Sequence, residues 1–142
     1  MPDDHLPQPT QSCPGCGAVL VPLTDGGPSH PGGSPACTRL FEVTLHGLRE
    51  EAGTHAGTAS AVELADAAYD AQHPVPGDDE RLRAALDRLG AAGDVDATRR
   101  PRVWRMTIAD VAADLDVIDL PALVESWARS VRDDWAAEPA SR

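Results

Sequence analysis

Cys13 and Cys16 stand two residues apart in the run SCPGCGAVLVP, and the chain has only one other cysteine, Cys37. Two thiols at that spacing can hold a metal or cycle through a disulfide. A redox pair of this kind usually follows a strand and opens a helix. Here the pair is followed by AVLVPL and then by the Gly/Pro-rich loop DGGPSHPGGSP, so a metal site is the favoured reading. Pro14 and Gly15 allow successive backbone N–H groups to turn towards the sulfurs, and Gly17 permits the positive φ that a metal knuckle needs. Two thiolates supply half of a tetrahedral Zn2+ shell.

Cys37 extends the pattern to C-x2-C-x20-C and falls at the start of a helical stripe. A helix N-terminus stabilises a thiolate, which favours a ligand over a small buried apolar residue. The fourth ligand follows from helix lengths. About fourteen residues of helix follow Cys37 and about thirteen separate Ser60 from His73, so at 1.5 Å per residue each helix is roughly 20 Å long. Packed as an antiparallel hairpin, they bring Cys37 to His73. The expected ligand set is therefore Cys13, Cys16, Cys37 and His73. His30 ranks second, because it lies in the loop between the cysteines and could fold back to the metal. His5, His46 and His55 read as solvated. Tyr69 is a candidate acid beside the metal or a core ring with its hydroxyl at the edge.

These ligands need elements to position them. Ser34 and Pro35 read as the N-cap and first residue of a helix whose stripe is Cys37, Leu40, Phe41, Leu45 and Leu48, ending near Gly53. Ser60 and Glu63 form an S-x-x-E capping box for a second helix, which carries Val62, Ala65, Tyr69 and His73 on one face and stops at Pro74. A third runs from about Asp78 to Gly90, with an acidic start that suits the helix dipole. Residues 91–106 read as irregular. Thr107 and Asp110 begin a short fourth helix, and Asp119 and Pro121 open a fifth with Leu123, Val124, Trp127, Val131 and Trp135 on its stripe. The fold class is mainly α: about five helices in one compact domain with an N-terminal Cys-x-x-Cys zinc knuckle. The expected organisation is a disordered tail over 1–11, a zinc-stabilised helical domain over 12–137, and a C-terminal tail over 138–142.

Together, CPGCG, DGGPSHPGGSPAC, DAAYDAQHP and MTIADV resemble a family of small, mostly actinobacterial proteins known as a domain of unknown function. The resemblance spans most of the chain. It implies that the paired Cys, the Cys opening a helix and the His before Pro recur, which here are Cys13, Cys16, Cys37 and His73; His30 matches as well. The chain departs from that pattern where relatives carry a His early in the second helix, near Val62, and a His pair between Trp127 and Trp135. The family implies no reaction.

Composition narrows the function classes. The 142 residues carry 23 acidic and 12 basic side chains, every basic one Arg, for a net charge of −11. Such an acidic surface repels phosphate backbones and anionic membranes, so neither nucleic acid nor a membrane is an expected partner. The one basic island, RRPRVWR over 99–105, could grip an anion with Trp104 stacking on a base, but reads as a connector whose arginines pair with acidic helices. No run approaches the ~20 apolar residues of a membrane span. The N-terminal MPDDHLPQPTQ lacks the apolar centre of a secretion signal, so a cytoplasmic location is expected, where thiols stay reduced.

Two functions remain. The first is a zinc-stabilised helical module, its metal structural, that binds a protein or small-molecule partner. The alternative is a zinc-dependent enzyme with an open coordination position. Four available ligands and the lack of an obvious general base favour the first.

Overall fold

The computed structural model describes residues 9–23, 30–91 and 100–136. The expected tails fall mostly outside this set: residues 1–8 and 137–142 are not among the described residues, and neither is 24–29 of the Gly/Pro-rich loop. The stretch read as a tail does lose its last residue, because Gln11 pairs with Leu20.

Among the described residues are five helices, as the apolar stripes require. Helix α1, Pro35–Ala52, opens on Ser34, whose hydroxyl accepts the Cys37 N–H at 3.1 Å, with Pro at the first position where its missing N–H costs nothing. Helix α2, Ala56–Gln72, is followed by His73 as its cap residue. It starts four residues before the Ser60 position read from the capping-box pattern, so Ser60 and Glu63 lie inside it. Its N-cap is His55, whose side chain makes no capping hydrogen bond, so the true start carries no sequence signal. Helix α3, Asp79–Leu89, is capped by Asp78 and closed by Gly90 at φ 82°. Helix α4, Ile108–Ala113, has the capping box of Thr107 and Asp110, and α5 covers Leu120–Ala136.

Helix α2 is the hub and packs against α1, α3 and α5, while α4 closes on α1 and α5. Its inward face is almost all alanine (Ala65, Ala68 and Ala71 are fully buried), which lets its neighbours approach closely. Larger side chains fill the gaps from the other helices. Leu45, Leu86, Val111, Trp127 and Val131 share this one core with Tyr69, as expected. The extended run before α1 adds a two-residue antiparallel ladder: β1, Gln11–Ser12, pairs with β2, Val19–Leu20. It pinches off the knuckle between its strands. No helix among the described residues is long and apolar enough to cross a membrane.

Candidate metal centre

Each ligand arrives on a different device. The knuckle is a turn closed by the Cys13 N–H on Ala18 O at 2.8 Å and the Gly17 N–H on Cys13 O at 2.9 Å, with Gly17 at φ 79°. This is the left-handed conformation that favours glycine. Cys37 comes from the first turn of α1. His73 comes from the end of α2, which the antiparallel hairpin lays beside the start of α1. The ligand atoms of Cys13, Cys16, Cys37 and His73 all lie within 4.8 Å of one another, and all four side chains are buried.

Two of the six distances between ligand atoms have the length of an edge in a tetrahedral sulfur and nitrogen site. A tetrahedron with Zn–S near 2.3 Å and Zn–N near 2.05 Å has edges of about 3.8 Å between sulfurs and about 3.6 Å from sulfur to nitrogen. Cys16 Sγ lies 3.8 Å from Cys37 Sγ, and Cys37 Sγ lies 3.5 Å from His73 Nε2. Three sulfurs and one imidazole nitrogen are a donor set that a zinc ion takes readily.

His73 is held in one tautomer. Its Nδ1 lies 2.6 Å from the Tyr69 carbonyl oxygen, which can only accept, so Nδ1 carries the proton and Nε2 presents its lone pair to the sulfurs. The ring stacks on Tyr69 at 3.9 Å between centroids. Glycines close the other sides. A Cβ on Gly15 would lie 2.4 Å from His73 Cδ2, and one on Gly32 would lie 2.4 Å from the His73 carbonyl oxygen. Gly15 of CPGCG and the two glycines of PGG are thus the space into which His73 fits.

The sulfurs have donors of their own. The Ser34 N–H points at Cys13 Sγ at 3.4 Å, and the Tyr69 hydroxyl donates to Cys37 Sγ at 3.3 Å. Behind Tyr69 the chain continues: Thr38 Oγ1 lies 3.3 Å from the Tyr69 hydroxyl and accepts the His30 N–H at 2.9 Å. Hydrogen bonds from Cys16 and then Cys37 hold the Cys13 thiol well below the ordinary thiol range, although burial opposes its ionisation. The Cys16 thiol, hydrogen-bonded to Cys13, is pushed up to about 12. Cys37 is raised as well, chiefly by its hydrogen bonds to Cys13 and Cys16 and then by burial. Three thiols this close cannot all ionise without a cation among them.

His30 does not join the cluster. Its Nδ1 accepts the Gly32 N–H at 2.9 Å, which places the proton on Nε2, and Nε2 donates to Asp70 at 2.8 Å. Both ring nitrogens are therefore spent. Burial opposes the Asp70 charge, but His30 and Arg81 together hold its carboxyl below the ordinary carboxylate range. His46 and His55 are exposed, facing Glu50 and Thr54, and His5 lies outside the described residues. Tyr69 is the core ring rather than the acid: it is buried, and burial followed by its bond to Cys37 raises its hydroxyl pKa.

Two roles were not legible in the sequence. Trp104 is buried with its Nε1–H on Gly15 O at 3.0 Å, and Arg100 donates to Pro14 O at 2.9 Å, so the basic island seats the knuckle. Arg105 pairs with Asp134, as a connector would, and Arg99 lies outside the described residues. Gln72 is fully buried and bridges the Trp127 Nε1–H to the Met106 carbonyl. Its only sequence signal was a polar residue among alanines beside His73.

Fold and site together define a small helical protein built around a buried Cys3His cluster that could hold a metal ion. Over residues 11–136 the chain matches the model of the family of unknown function DUF5946, and it belongs to that family. Neither the curated proteins nor the solved structures contain a match.

Proposed function

We propose that the protein is a zinc-stabilised helical binding module in which Cys13, Cys16, Cys37 and His73 hold one structural Zn2+. The observation that carries this reading is the convergence of four buried ligand atoms within 4.8 Å from three separated parts of the chain. Zinc there would neutralise the thiolates and clamp the knuckle to the ends of α1 and α2. That supplies the order which a Gly/Pro-rich segment with little apolar surface cannot supply for itself.

Several features support a structural role over a zinc-dependent enzyme. All four tetrahedral positions have a protein donor, and catalytic zinc keeps one for water or substrate. His73 is enclosed by Tyr69 and glycines, and His30, the nearest imidazole, has both nitrogens engaged, so it offers no general base. The role left to such a protein is to bind a protein or small molecule, in a reducing compartment such as the cytoplasm.

Metal analysis of the purified chain tests the site. One zinc per chain is expected, and cobalt substitution should give the thiolate charge-transfer band and visible bands of a tetrahedral sulfur-rich site. Cys37→Ser should lose the metal. A chain that purifies without zinc and does not take up cobalt would overturn the reading. So would one whose melting temperature is unchanged by a chelator that strips the metal.

A further inference from the structure

A cleft of about 540 Å3 opens beside the metal centre, and its size is that of a small-molecule site. Helix α2 forms its floor with Tyr69, stacked on Phe41 of α1 at 4.1 Å. Helix α1 supplies one wall and α3 the other. Two aspartates one turn apart on α2, Asp66 and Asp70, hold two arginines over the opening. Arg49 of α1 gives both of its Nη groups to Asp66 and lies over the Phe41 ring at 5.3 Å. Arg81 of α3 gives Nε and Nη2 to Asp70 at 3.2 and 3.1 Å.

What these pairs leave over defines the ligand. Among the described residues, Nη1 of Arg81 on the α3 wall has no acceptor, and the carboxylate of Glu42 on the α1 wall makes no direct ion pair, although its charge reaches Arg49. A simple anion would meet three carboxylates against two guanidiniums. A simple cation would leave the free Arg81 N–H without an acceptor. A molecule carrying both charges satisfies both walls and can lay an apolar body along the exposed edges of Phe41 and Tyr69. The guanidinium is pre-oriented by Asp70, so little of its rotamer freedom is left to lose on binding.

We propose that this cleft binds a small zwitterion, its carboxylate on Arg81 and its ammonium on Glu42. The proposal deepens the reading of the protein as a binding module by naming its ligand class. A free amino acid and a short peptide share that chemistry.

The test titrates the isotope-labelled, zinc-loaded full chain with L-leucine and with L-leucylglycine, following backbone amides by NMR. N-acetyl-L-leucine and L-leucinamide, each missing one charge, serve as controls. One of the two zwitterions should give saturable shifts around Glu42, Tyr69 and Arg81, and which one does identifies a free amino acid or a peptide as the source. Each single-charge control should bind about ten-fold more weakly or worse, the scale of one hydrogen bond between charged groups. Glu42→Gln, an exposed change on α1, should weaken binding to the same degree and leave zinc content and melting temperature unaltered. No saturable shift with either zwitterion in the millimolar range would overturn the proposal, and so would capped leucine binding as well as leucine. Zinc content measured on the same samples keeps the two readings apart: zinc-loaded protein that ignores both zwitterions overturns the cleft and leaves the metal centre standing.

Discussion

His73 and His30 sit with ring centroids 5.6 Å apart, yet only one reaches the sulfurs. The difference lies in what faces the far nitrogen of each. A carbonyl oxygen fixes the proton of His73 on Nδ1 and frees Nε2, whereas a backbone N–H and a carboxylate use up both nitrogens of His30. His73→Ala is therefore expected to abolish zinc retention. His30→Ala should keep one zinc per chain and cost about 1.5–3 kcal/mol in urea unfolding, the range for hydrogen bonds to a charged partner. If His30→Ala lost the metal and His73→Ala kept it, the ligand assignment would be reversed. The sequence ranked these two histidines by the hairpin argument, but it could not show the tautomers, which depend on backbone groups brought close only by folding. The thiols add a pH dependence. With the Cys13 thiol depressed and those of Cys16 and Cys37 raised, two thiols still carry protons near neutrality, and metal binding must displace them. Falling pH therefore weakens binding. Competition against a chromogenic chelator across pH 6 to 8 should show affinity rising by up to about two orders of magnitude per pH unit, the slope for two released protons. A flat profile would contradict the assignment.

At the scale of elements, helix ends decided how much could be read. The caps Ser34, Asp78 and Thr107 each make their side-chain bond to the backbone, and the helices they open begin at the positions expected. The start of α2 was misplaced because an S-x-x-E pattern lies within a helix that can run through the preceding small residues. The error did not reach the site, since His73 and Pro74 fix the other end of α2 and only that end meets Cys37. The β1–β2 ladder was too short to show any alternation. The glycines carry an element-level prediction. Gly15→Ala and Gly32→Ala would force a methyl group to within 2.4 Å of His73 atoms and displace the knuckle or the end of α2. Both should lower the melting temperature and the affinity for zinc. Gly47, exposed inside α1 with nothing within 4 Å of a Cβ placed on it, should behave oppositely. Gly47→Ala should stabilise by about 0.5–1 kcal/mol in urea titrations with zinc content unchanged. Equal effects at all three positions would mean that the packing around His73 is not what selects glycine.

For the whole molecule, the charge distribution bears on what it can hold. Its net charge is −11, and several of its arginines are committed to carboxylates on the helices: Arg49 to Asp66, Arg81 to Asp70, Arg88 to Glu63 and Arg105 to Asp134. Within the basic island, Arg100, Trp104 and Arg105 have partners inside the protein. Arg100 and Trp104 hold the knuckle by the carbonyl oxygens of Pro14 and Gly15, and burial of Trp104 leaves little indole face there for a base. Association with duplex DNA depends on the number of phosphates neutralised, with log K falling by about 0.9 per contact for each decade of salt. A chain of net charge −11 that pairs Arg49, Arg81, Arg88 and Arg105 with its own carboxylates leaves few guanidiniums for that task. A labelled duplex titrated at two salt concentrations should therefore show no saturable binding at physiological salt, and little at low salt. Tight binding with a steep salt slope would overturn this expectation and require Arg100 and Arg105 to leave their internal partners.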